Sequence, residues 1–75
     1  MKATYQDLIN FCNNVGWDKG IQVLETIVFR DEILQASLFA GNLLQRKQAT
    51  NMSKTIIQKI KTIAKLKQYR KDNNL

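Results

Sequence analysis

The sequence predicts an all-α domain of about four helices, completed by dimerisation. Three observations lead there. Apolar residues recur at the 3.6-residue helical period over the longest stretches, strand-type alternation is poor, and the 75 residues contain no proline to interrupt a helix. The chain is also short. A domain of this size buries only roughly 60–65% of the surface its unfolded form exposes and gains a few kcal/mol of stability, so small domains commonly add a disulfide, a metal or a second subunit. With one cysteine and no histidine in the chain, the second subunit is the stabilising device left to expect. Residues 1–69 are expected to form one domain and 70–75, RKDNNL, a flexible tail.

The first helix opens at Thr4, whose hydroxyl can cap it, with Asp7 placed for the free amides of the first turn. Tyr5, Leu8, Cys12 and Val15 share one face, flanked by Ile9 and Phe11. Asn13 and Asn14 followed by Gly16 end it, and Gly16 can take the left-handed conformation. GWDKG (16–20) reads as a turn with Asp18 capping the next helix, and Trp17 as a plug between helices.

From Asp18 to Lys47 there is no strong breaker, yet the apolar phase shifts. Ile21, Leu24, Ile27 and Val28 form one stripe, whereas Ile33, Ala36, Ala40, Leu43 and Leu44 fall on another, about 150° away at 100° per residue. Two helices meeting at FRDE (29–32), with Asp31 capping the second, reconcile the two stripes. That second helix, 32–47, is apolar nearly all round and is the expected dimer contact; Gly41 in it is a small residue that permits close approach. QRKQATNMS (45–53) is polar and reads as the next break, with Asn51 or Ser53 capping a last helix. Its stripe is Met52, Ile56, Ile60 and Ile63, widened by Ile57 and Ala64, with Leu66 pointing elsewhere.

Catalysis is not expected. Without histidine, neither Ser-His-Asp nor Cys-His chemistry is available, and Cys12 on an apolar face reads as a small core residue. Asp31 and Glu32 are adjacent and point apart, there is no glycine-rich phosphate loop, and nothing has metal-ligand spacing, so no cofactor or metal is expected. No apolar run approaches the ~18 residues of a membrane span and the start lacks a signal-peptide layout, so a cytoplasmic protein without membrane contact is expected.

Charge carries the functional hint. The net charge is +6, but residues 1–45 set three cations against five acids, while residues 46–75 set nine cations against Asp72 alone. Lys54, Lys61 and Lys65 lie in a row about 16 Å long at 1.5 Å per residue, opposite the isoleucine stripe. No acid interrupts 46–71, whereas an ordinary solvated helix mixes signs. The expected function is therefore a small nucleic-acid-binding regulator, with DNA the favoured target. Its contact residues are Arg46, Lys47, Lys54, Thr55, Gln58, Lys59, Lys61, Lys65 and Arg70, lysines on phosphates and Thr55 and Gln58 nearest base edges. NMSKTIIQKI (51–60) resembles the turn and recognition helix of helix-turn-helix proteins over ten residues only. RKQ (46–48) stands where that motif has apolar and small residues, so no family is assigned on it. The competing expectation is a non-enzymatic inhibitor, antiactivator or adaptor that docks on a larger protein. A lipid-surface role fits less well, because the basic helix lacks tryptophan and phenylalanine and its apolar face is needed for the core.

Overall fold

The computed structural model describes residues 3–75 and is all-helical, with three helices where about four were expected: α1 (Tyr5–Val15), α2 (Trp17–Phe39) and α3 (Leu43–Asp72). α2 and α3 form a long antiparallel hairpin, and α1 packs against its open end, giving extents of 46 × 21 × 18 Å.

α1 starts as its residues dictate. The Thr4 hydroxyl accepts from the Asp7 amide at 3.2 Å and the Asp7 carboxylate accepts from the Thr4 amide at 2.9 Å, a reciprocal capping box. The chain then leaves the helix through Gly16 at φ +94°, a backbone region closed to most side chains. Here the first correction arises. GWDKG is not an extended turn, because Gly16 is the whole linker and α2 begins at Trp17; Asp18 sits inside its first turn instead of capping it. The buried face of α1 is centred on Ile9 and Cys12, while Tyr5 and Val15 stay exposed.

A second correction concerns 29–32. The helix runs straight through FRDE, and Asp31 is an interior residue. An apolar phase shift is not a backbone breaker: each α-helical hydrogen bond is local, and no residue from 21 to 39 lacks a donor or favours a left-handed conformation. α2 buries Ile21 and Val28 of its first stripe, with Leu24 half-buried and Ile27 exposed, and leaves Ile33, Ala36 and Ala40 of the second in solvent. It ends instead at Ala40–Gly41, so Gly41 lies in the connection and not within a helix.

The third correction is that 45–53 is not a break. Asn42 caps α3, its side chain accepting from the Gln45 amide at 2.9 Å while Gln45 Oε1 accepts from the Asn42 amide at 3.0 Å. This second capping box starts a helix of 30 residues that runs on to Asp72, into the stretch expected to be a tail. Residues 51–60 lie wholly inside α3, so the turn of a helix-turn-helix motif is absent there.

The core sits at the three-helix end. Ile9, Cys12, Trp17, Ile21, Ile63 and Leu66 cluster there, with Val28 and Ile56 continuing it up the hairpin. Leu66, expected to point away, is fully buried. The α2–α3 seam follows a seven-residue repeat on both helices, Ile21, Val28 and Gln35 against Ala49, Ile56 and Ile63, and Leu66 is buried beyond it where Ile9 and Cys12 of α1 join the cluster. Trp17 is a core residue, as expected. It stacks on Tyr69 with ring centroids 5.6 Å apart and donates its indole N–H to Asn13 Oδ1 at 3.0 Å. At Gly20 a Cβ would lie 2.7 Å from Cys12 Sγ, so this glycine lets α1 close onto α2.

The middle of the seam is polar. Gln35 donates from Nε2 to the Ala49 carbonyl and to Ser53 Oγ, both at 2.8 Å, and Lys59 Nζ meets Asp31 Oδ2 at 2.5 Å. Towards the α2–α3 turn the apolar residues face out: Phe39, Leu43 and Leu44 are all exposed, Leu43 at 82%.

Candidate nucleic-acid interface

α3 carries every cation of residues 46–75, and its continuity from Leu43 decides how they are arrayed. Because 45–53 is helical, Lys47 joins the row. Lys47, Lys54, Lys61 and Lys65 fall within about 40° of one another around the axis and span about 27 Å along it. All four are exposed, and among the described residues none has a carboxylate within ion-pair distance. Gln58 is exposed and lies at the edge of the same strip.

The other expected contact residues separate from this strip. Thr55 is exposed but about 100° round the helix, and Arg46 is exposed about 85° round on the opposite side. Lys59 lies in the α2–α3 seam, half-buried against Asp31. Arg70 turns to the base of the hairpin, where its guanidinium reaches Asp18 at 2.6 Å and donates through Nε to the Leu75 carbonyl at 2.9 Å. Lys67 pairs loosely with Glu25 at 3.6 Å. Three of the four acids of α2 thus engage cations near the seam, and the outward row is left without an ion-pair partner.

Lys59 and Arg70 read as phosphate contacts in the sequence because their partners lie 28 and 52 residues away in the chain, beyond any i,i+4 rule. The membership of Lys47 was legible in principle. Asn42-Leu-Leu-Gln45 after Gly41 is a capping-box pattern that starts the helix before the lysine instead of after it.

Elsewhere the chemistry is sparse. Cys12 is fully buried, and burial pushes its thiol pKa up, away from the thiolate form that reacts. Asp7 is held below the ordinary aspartate value, first by the hydrogen bond from the Thr4 amide and then by that from its hydroxyl. Among the described residues no three His, Cys, Asp or Glu side chains gather as metal ligands, and no helix is long and apolar enough to cross a membrane.

No family model matches the chain, and neither the curated proteins nor the solved structures hold a match to it.

Proposed function

We propose that the chain is a small non-enzymatic regulator that binds nucleic acid, with DNA the favoured target, through the outward face of α3. One observation carries this reading: a strip of four lysines about 27 Å long without an ion-pair partner, on a helix three of whose five other cations pair with α2. Cations held in line on a rigid rod neutralise backbone phosphates and release their counterions. Lysine positions without reading sequence, so any sequence preference falls to Gln58. Arg46 and Thr55 contribute only where the polyanion wraps the helix. The segment 32–47 fits the dimer expected of so short a chain, since Ile33, Leu34, Phe39, Leu43 and Leu44 within it are all exposed. The reading places the protein in the cytoplasm.

The test is fluorescence anisotropy with a random DNA duplex across a range of salt. Four phosphate contacts give a slope of log K against log salt of about −3.6 per chain. Lys61→Glu/Lys65→Glu should abolish binding with helicity unchanged. Affinity unchanged by that double reversal, or no binding at low salt, removes the proposal.

The second reading, an adaptor or inhibitor docked on a larger protein, draws support from the exposed apolar residues, Phe29 at 62% among them. It predicts tight association with one protein and none with any duplex.

A further inference from the structure

The hairpin has two broad faces. α1 covers part of one, with Cys12 against Gly20 of α2 and the Tyr5 hydroxyl donating to the Lys65 carbonyl of α3 at 3.3 Å. Residues 20 and 65 lie far round their helices from Phe29 and Ile60. Among the described residues nothing packs on the opposite face, and it is apolar along its centre. Phe29, Ile33, Ile57 and Ile60 are each about half exposed or more, and an open groove of about 500 Å³ runs between Phe29 on α2 and Ile60 and Ala64 on α3. Glu25 and Glu32 stand on the α2 side of that groove and Lys67 on the α3 side.

We propose that this groove face is where a second copy of the chain docks, by a two-fold axis parallel to the hairpin that lays each α2 across the partner's α3. The inference keeps the dimer expected of so short a chain but shifts its contact from 32–47 to a face shared by α2 and α3, of which Glu32 and Ile33 are the part within 32–47; it does not depend on nucleic-acid binding. Two arguments select this occupant. The first is area. Even the narrower long side of the molecule, 46 by 18 Å, is on the order of 800 Å², which is about what each partner of a standard-size interface contributes.

The second argument is charge, and it chooses between the two possible pairings. α2 bears four acids and two cations, while α3 bears nine cations and one acid. Laying α2 on α2 and α3 on α3 would set two strongly basic helices side by side. With α2 laid on α3, the basic helices sit on a diagonal, Glu25 and Glu32 face the partner's α3, and a four-helix arrangement closes with antiparallel neighbours. The exposed turns then lie at the same end, where Phe39 and Leu43 of both copies are adjacent. The lysine strips remain on the two outer flanks.

Sedimentation velocity on the intact chain from 1 to 200 μM tests the dimer, and disulfide trapping tests its symmetry. The expected species weighs twice 8.7 kDa. Phe29→Gln/Ile33→Gln, at exposed positions, should weaken it roughly tenfold or more with helicity unchanged. For trapping, Cys12→Ala chains are used, one tagged with Ile33→Cys and one untagged with Ile57→Cys. The mixed disulfide should dominate over the two like pairs. A monomer throughout the range, a dimer indifferent to the glutamine substitutions, or mostly like-pair disulfides would overturn the proposal. Because duplex binding is read separately, a monomer that still binds DNA removes only the interface, and a dimer that does not bind removes only the function.

Discussion

Two residues at the joint between α1 and α2 show how far a local rule can be from a tertiary one. Glycine inside a helix is ordinarily destabilising by about 1 kcal/mol relative to alanine. At Gly20 the sign reverses, because the added Cβ would press on Cys12 Sγ at 2.7 Å and on the Cys12 Cα at 3.1 Å. Gly20→Ala should therefore lower stability by about 1–3 kcal/mol in urea unfolding, in spite of its better helix propensity. Cys12→Ala made alongside should recover part of the loss, since one of the colliding atoms is then gone. A stabilised Gly20→Ala variant would show that α1 does not close this tightly. The other residue-scale device is Asp7. Its folded-state pKa is depressed, so its contribution is fully present above the unfolded value and is lost as the pH falls through the lowered one. Asp7→Asn should flatten the acid limb of stability in that window, as followed by circular dichroism, and leave the neutral region with the same shape.

At the scale of elements, helix boundaries follow from caps more than from apolar phase. Thr4 with Asp7 and Asn42 with Gln45 each satisfy two end amides, and both helices begin where these boxes stand. Asn42→Ala should cost about 1 kcal/mol, with the amides of Gln45 and Arg46, which donate to Asn42, losing hydrogen-exchange protection before those around Leu66. Equal protection loss along α3 would mean that the cap does not define its start. The same contrast explains what could be read in the sequence. The all-α class and the start and end of α1 were legible, because each is set by neighbours within a few residues; the core role of Trp17 and the stripe through Ile21 and Val28 were legible from residue type and helical spacing, although distant residues such as Tyr69 cover them. The phase shift at 29–32 reads in the sequence as a break, though it records a face that α2 leaves exposed. Ile60 belongs to the helical stripe by spacing yet is 48% exposed, because it lines the open groove between α2 and α3, on the side away from α1. Of the candidate contacts, the lysines at 54, 61 and 65 were readable from spacing alone. The diversion of Lys59 and Arg70 was not, since it depends on how two distant helices meet.

For the whole molecule the dominant electrostatic fact is imbalance. Of three cross-element ion pairs, those of Glu25 with Lys67 and of Asp18 with Arg70 have an exposed partner and contribute little, and that of Asp31 with Lys59 is half-buried. Against them stands an α3 with nine cations and one acid, whose self-repulsion is screened by salt. The thermal midpoint should thus rise by a few degrees between 20 mM and 500 mM sodium chloride, the opposite of a fold held by surface pairs. A midpoint that falls with salt would assign those three pairs a larger role than their exposure suggests.

The only tryptophan of the chain lies at the end where all three helices meet, ring against ring with Tyr69, while the α2–α3 turn is at the far end of a 46 Å molecule. Its ultraviolet emission is therefore a private gauge of that junction. Detachment of α1 or fraying of the last turns of α3 would register in its colour and intensity. Events at the remote loop would pass unseen, so an optical melt and an amide-exchange melt of this protein need not share a midpoint.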